Sequence, residues 1–205
     1  MALLRLTNGR VYTAPEDINR IVAPMQVGEF TIAPEVRARI RGFKHPLSQE
    51  DAMYVLKNLD PKVIAMAEKD GFKYRRVGNV VPSSADDGNF TYMQRFEDRS
   101  IESAPVPMSA EAVREYLVPH YVKVNDWHCI FSGGIIKGVQ LSDGQQGVVY
   151  CEAGDWIRLS PKVLNWPIFP YGEATAAVSM FDQPCDKNFE MELHREIKVR
   201  DEMRY

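Results

Sequence analysis

The sequence has only three cysteines, Cys129, Cys151 and Cys185, far apart and without CxxC spacing. That excludes a disulfide framework and a zinc ribbon. They read as reduced thiols, and the expected compartment is the cytoplasm. Nowhere is there an apolar stretch of the roughly 18 residues that a membrane helix needs. The opening "MALLRLTNGRVYTAPED" has one arginine, a short apolar run and then polar residues, so neither export nor membrane spanning is expected. A basic excess is missing as well: 25 Lys and Arg against 28 Asp and Glu leave a net charge of −3. Such a chain has little with which to neutralise phosphates, so neither nucleic acid nor an anionic membrane is the expected partner. Internal repeats and low-complexity segments are absent too.

What is present is a 45% apolar composition over 205 residues, enough for one sizeable core and read here as one domain. "LTNGRVY" carries a turn dipeptide between short apolar runs, and "APEDINRIV" predicts a brief helix entered through Pro15. From Ser48 to Gly71 the apolar residues Met53, Val55, Leu56, Leu59, Val63, Ile64 and Met66 recur at helical spacing. Asp60-Pro61 marks a break and Gly71 a stop, which predicts two helices or one with a kink. "FKYRRVGNVVP" and "FTYMQRF" have strand content and flank the turn-former cluster "SSADDGN", as a hairpin would. Ser109 ahead of "AEAVREYL" predicts a further helix that Pro119 ends.

After Pro119 the texture changes to short runs rich in Val, Ile, Phe and Trp, separated by "SGG", "SDGQQG", "EAGD" and "PYGEA". Turn signals at intervals of about ten residues are those of a small β-barrel. The expected organisation is a single domain over 1–205: an α/β portion at 1–118, a barrel core at 119–184 and a charged tail at 185–205, the tail fitting either strand or helix.

Two motifs in the barrel resemble those of the cupin superfamily. "EAGDWIRLSP", Glu152 to Pro161, is similar to the second cupin motif, in which a Gly-Asp turn leads a strand to a proline and a metal-binding histidine follows; counting places Trp166 there. The first motif, HxH, then Glu, then Gly, maps back from Gly133: Asp126 takes the glutamate position, Val122 the second histidine and His120 the first. Among cupins the acireductone dioxygenase family is most alike. "EAVREYLVPH" resembles its helix leading into HxH, "VVYCEAGDWIRLSP" its metal-strand region and "AAVSMFDQP" its closing strand. The resemblance implies a mainly β fold with flanking helices, a cupin-type barrel (double-stranded β-helix) with an N-terminal α/β portion. It also implies a metal-dependent dioxygenase activity.

The chemistry turns on which ligands remain. A non-haem iron oxygenase needs imidazoles and a carboxylate with open positions for substrate and dioxygen. Val122 and Trp166 cannot supply them, but His128 lies two residues beyond Asp126, and strand side chains two apart share a face at ~6.6 Å. His120, Asp126 and His128 are therefore the expected metal triad, with Fe(II) the expected ion and Ni(II) or another divalent metal the alternatives. His120 joins only if the chain bends around "VKVN". On this reading an oxygen-rich enediol or keto-hydroxy substrate chelates the metal and reacts with dioxygen, His128 or Asp126 acting as base, in a pathway other than standard methionine salvage. The competing expectation is a metal-free cupin, a small-molecule binding protein or a non-oxidative acid–base enzyme, since Val122 and Trp166 put apolar bulk where imidazoles would sit. Asn165 offers an amide oxygen if the register shifts by one residue.

Other candidates carry blander readings. Cys129 and Cys151 read as small buried apolar residues. Lys73 to Arg76, "KYRR", can hold an anion but reads as a solvated strand edge. His45 and His194 read as surface residues, and Trp127, Trp156, Trp166 and Phe169 as barrel packing. A homodimer through exposed barrel strands or the charged tail is the expected form of any self-association.

Overall fold

A computed structural model describes residues 1–40, 47–82, 90–97, 115, 117–168, 174–183 and 191–203. The expected helix after Ser109, His45, Phe169 and Cys185 lie outside the described residues.

The chain opens with a hairpin of β1 (Leu3–Leu6) and β2 (Val11–Tyr12), then α1 (Pro15–Val22), β3 (Gln26–Glu29) and α2 (Pro34–Ile40). Pro15 begins α1, as the sequence predicts, whereas α2 went unread because "PEVRARI" buries only Val36 and Ile40 and shows little periodicity. The segment after Ser48 forms two helices, α3 (Gln49–Lys57) and α4 (Pro61–Lys69). The Ser48 side chain accepts from the Asp51 amide and the Asp60 side chain from the Lys62 amide, so each helix has its own N-cap and the break between them is built in. Strands β4 (Tyr74–Pro82) and β5 (Phe90–Glu97) pair antiparallel as the predicted hairpin. Eight further strands follow: β6 (His120–Val122), β7 (Asp126–Ser132), β8 (Gly134–Gln140), β9 (Gln146–Glu152), β10 (Asp155–Leu159), β11 (Asn165–Ile168), β12 (Thr175–Phe181) and β13 (Met191–Leu193).

These strands make two antiparallel sheets. One has the order β13-β6-β11-β8-β9-β1-β2 and the other β3-β10-β7-β12-β4-β5. The opening strands thus extend both sheets: β1 continues the seven-stranded sheet through β9, and β3 and β4 extend the other through β10 and β12. The barrel consequently draws on 1–118 as well as 119–184, and the tail returns through β13 to pair with β6.

Period-two alternation sorts the side chains into layers. Between the sheets pack Leu4, Val27, Val122, Ile130, Val139, Val149, Ile157 and Leu159. The outer face of the six-stranded sheet carries Val77, Trp127, Cys129, Phe131, Val178 and Met180, covered by Val36, Val55, Leu59 and Val63 of the helices. Trp127 meets Phe72 edge-on at 5.5 Å and Trp156 at 5.0 Å, so these aromatics are packing, as expected. Cys129 and Cys151 are buried, and burial pushes both thiols far up from their ordinary range. Among the described residues no helix is long and apolar enough to cross a membrane.

Candidate functional site

The polar residues of interest lie on the inward faces of the two sheets. The chain leaves the seven-stranded sheet at Val122, passes Lys123 to Asn125, and re-enters the other sheet at Asp126. Asp182 holds this crossover: its carboxylate accepts from the Asn125 amide at 3.1 Å and from Asn125 Nδ2 at 2.6 Å. The bend predicted at "VKVN" therefore exists, pinned from the Phe-Asp end of β12. At the far end of β7, Gly133 makes the turn into β8 with φ +64°, where a Cβ would stand 2.4 Å from the Ala174 carbonyl oxygen.

On β7, Asp126, His128 and Ile130 face inward while Trp127, Cys129 and Phe131 face the helices. Registers extend this inner row across the sheet: Ile157 of β10 sits opposite His128, Ser179 of β12 on its other side, and Arg76 of β4 opposite Ser179. His128 Nδ1 stands 2.8 Å from Ser179 Oγ. Its Nε2 lies 2.7 Å from Asp126 Oδ2, at ion-pair distance but outside hydrogen-bond alignment. The result is a carboxylate–imidazole–hydroxyl chain spanning two strands. Asp126 Oδ1 is buried and has no hydrogen-bond partner among the described residues. The His128 side chain keeps 13% of its surface exposed, while its Nε2 is buried.

Arg76 corrects the reading of "KYRR" as a solvated edge. Strand β4 lies between β12 and β5, so alternation turns Arg76 into the barrel, where it is buried with its guanidinium 5.0 Å over the Phe181 ring. Arg75 points the other way and pairs with Glu68 at 3.1 Å.

The seven-stranded sheet presents a second group. His120 of β6 is fully buried, and its Nδ1 donates to the Val118 carbonyl at 2.6 Å. Burial, reinforced by the positive charge of Lys137 and opposed by that hydrogen bond, brings its pKa down to about 4. Asn165 of β11 is the register partner of His120 and of Val139, and its Nδ2 donates to the His120 carbonyl at 3.3 Å. Lys137 of β8 is only 3% exposed, and its ammonium donates a long hydrogen bond of 3.4 Å to Asn165 Oδ1.

Asn165, and not Trp166, is the residue of this segment that faces the site. The Trp166 indole lies on the outer face of the sheet with Ile136, Val148 and Met203, seated over Gly138, where a Cβ would come 1.9 Å from its Cε2. The count from Pro161 falls on Trp166, which the strand turns outward, while its neighbour Asn165 turns inward, since one residue in a strand exchanges the faces. Val122 does face inward, in the core.

Asp126 and His128 are thus brought together, while His120 stands on the opposing sheet. Among the described residues no three His, Cys, Asp or Glu side chains are grouped so as to hold a metal ion. His194 is remote from the row on the β13 side, with Nδ1 2.6 Å from Glu196. Ser179 and Lys137 went unread in the sequence. The available signal was alternation: Ser179 falls in phase with Ala177 and Phe181, and Lys137 is the one charge in the apolar run "GIIKGVQ".

The architecture is that of a cupin barrel. Superposition relates it to the acireductone dioxygenase from Bacillus anthracis with cadmium ion in active center, with a TM-score of 0.66, 14% identity, and coverage of 89% of this chain and 94% of that one. At that identity the likeness establishes the fold. The ribosomal oxygenase YcfD from Escherichia coli superposes at a TM-score of 0.21 with 11% identity, over 88% of this chain and 53% of that one, too low to support comparison. No family model matches the sequence, and no curated protein matches it.

Proposed function

We propose that the protein is a metal-independent cupin that binds a small oxygen-rich molecule, an enediol or keto-hydroxy compound, between the sheets and moves a proton on it. The observation that carries this reading is the Asp126–His128–Ser179 chain, with one Asp126 oxygen buried and unpartnered among the described residues. Asp126, through that open oxygen, takes the proton from the carbon beside the substrate carbonyl as the electron pair moves onto the carbonyl oxygen. Returning it to the former carbonyl carbon, while the substrate hydroxyl proton crosses to the former carbonyl oxygen, completes an isomerisation with no change in oxidation state. His128 stands against the other Asp126 oxygen and holds the carboxylate in place, and Ser179 fixes the ring at Nδ1.

The donors suit a divalent ion poorly. Where the family resemblance implies ligands stand His120, Val122, Asp126 and Trp166; Trp166 faces outward, and the oxygen of its inward neighbour Asn165 already accepts from the Lys137 ammonium. Cations would compete for that place at the cost of charge repulsion.

The test is solvent exchange. Chelator-treated protein is incubated in D₂O with a panel of keto-hydroxy compounds, and loss of the exchangeable C–H signal is followed by proton NMR beside Asp126→Asn. Exchange by the wild type that disappears in the variant supports the reading. No exchange across the panel contradicts it.

A second reading is favoured by the fold's likeness to a dioxygenase whose active center holds cadmium. In it His120, Asp126 and His128 converge on Fe(II) or another divalent metal, and the same class of substrate is oxidised by dioxygen. It requires the two sheets to bring His120 to the Asp126–His128 pair, and it predicts oxygen uptake that depends on added iron.

A further inference from the structure

The distances along Asp126, His128 and Ser179 leave open which way the hydrogen bonds run, and the direction decides what the imidazole does. A serine hydroxyl donates to a ring nitrogen or accepts from it, so the 2.8 Å contact between Ser179 Oγ and His128 Nδ1 fits either tautomer. The other end of the ring has no such freedom. His128 Nε2 lies 2.7 Å from Asp126 Oδ2, and an ionised carboxylate only accepts. A bare Nε2 would set a lone pair against a negative oxygen at that distance, with Nε2 and Asp126 both buried and little solvent to weaken the repulsion. A hydrogen on Nε2 makes the same contact attractive, even off the ideal line. The carboxylate also needs it: a buried charge is costly unless a donor answers it. Among the described residues His128 is the one basic side chain within ion-pair distance of Asp126. With the hydrogen on Nε2, an uncharged ring has a bare Nδ1, and the contact there is then made by the serine hydrogen.

We propose that the Asp126 carboxylate fixes the His128 proton on Nε2, so that the hydrogens point one way, from Ser179 Oγ through the ring to Asp126. This rests on the reading of Asp126 as the base, which needs an ionised carboxylate, and it makes His128 a positioning residue. The ring turns no lone pair toward Asp126, so it cannot accept the proton that Asp126 Oδ1 removes. That proton returns to the substrate from the oxygen that took it. Donation by Ser179 at Nδ1 polarises the ring and strengthens its hold on Oδ2. The direction is built into the sheet, because the pairing of β7 with β12 sets Ser179 opposite His128.

Nitrogen NMR locates the proton. Chelator-treated protein labelled with ¹⁵N-histidine is examined without substrate at about pH 8, above the ordinary titration range of an imidazole, and His128→Gln identifies the His128 signals. A bare ring nitrogen resonates well downfield of a protonated one, and Hδ2 couples more strongly to Nε2, which tells the two nitrogens apart. The wild type is expected to show a bare Nδ1 and a protonated Nε2. Ser179→Ala should keep that pattern, since the carboxylate sets it. In Asp126→Leu a buried Nε2–H would have no acceptor while an Nδ1–H has Ser179, so the proton should move to Nδ1. Thermal melts confirm folding, and the first two proteins decide the matter if Asp126→Leu does not fold. A wild type protonated on Nδ1 or on both nitrogens overturns the proposal, as does a proton that moves in Ser179→Ala or stays on Nε2 in folded Asp126→Leu. Failure of the proton-transfer reading is distinct, since it shows as absent exchange with substrate rather than in the tautomer.

Discussion

His128 Nδ1 and Ser179 Oγ meet at 2.8 Å because β7 and β12 are paired in a register that sets these two residues directly opposite each other on the inner face. On the far side of the ring stands Asp126, two residues back along the same strand. Each member of the chain is thus placed by sheet geometry rather than by a loop, which is what a precise proton carrier requires.

For that chain, Asp126→Asn is expected to slow substrate exchange by about 10²–10⁴-fold, the usual contribution of a positioned acid–base group. Ser179→Ala is expected to lower kcat by a smaller factor while leaving KM unchanged, because Ser179 orients the ring. Initial rates against substrate concentration separate the two effects, and a Ser179→Ala variant indistinguishable from wild type would remove Ser179 from the mechanism.

The crossover offers a stability prediction. Asp182→Ala leaves two donors of Asn125 without their acceptor and is expected to cost about 2–3 kcal/mol, with Asp182→Asn costing less. Urea unfolding followed by tryptophan fluorescence reads the difference. Exchange activity should fall with Asp182→Ala, since the same bend delivers Asp126 to its strand.

Trp166 is assigned to the outer face, and Gly138 tests that assignment. A methyl group at position 138 meets the indole far inside contact distance, so Gly138→Ala is expected to destabilise the fold by about 1–3 kcal/mol. Exchange should remain intact in the folded fraction. Lost substrate exchange at full stability would instead place the indole in the site.

His120 links stability to pH. Its imidazole is held down to about 4 in the folded protein, whereas in an unfolded chain it titrates near ~6.5. As pH falls, the unfolded chain takes up the proton first. The stability associated with the uncharged ring is therefore complete above pH ~6.5 and lost as pH falls to about 4, an effect on the order of 3 kcal/mol. Urea midpoints of chelator-treated protein at stepped pH should show this slope, and His120→Gln should flatten it.

Much of the architecture was readable because it rests on local signals. Pro15, Ser48, Asp60 and Gly71 bound the early helices, and the Gly-containing turns separate the barrel strands. Layer membership was harder to read, because it depends on strand phase, which a motif count across a loop does not preserve. The motif count lands on Trp166, which faces outward, while Asn165 beside it faces in. The neighbours of His128 were hidden for a different reason: Ser179 and Arg76 lie far from it in sequence and arrive through pairing of β12 with β7 and with β4. Lys137 was visible as a charge in an apolar strand, but its inward face and its contact with Asn165 come from the strand pairing.

The most direct test of a barrel that works without a metal is metal content after every opportunity to bind. The wild type is produced with iron, nickel, manganese and zinc supplied, reconstituted anaerobically with ferrous iron, and analysed by plasma mass spectrometry beside His120→Ala, Asp126→Ala and His128→Ala. The account predicts far less than one equivalent of any metal in the wild type and the same in all three variants. Near-stoichiometric iron in the wild type, lost in each variant, would contradict it and establish the triad instead.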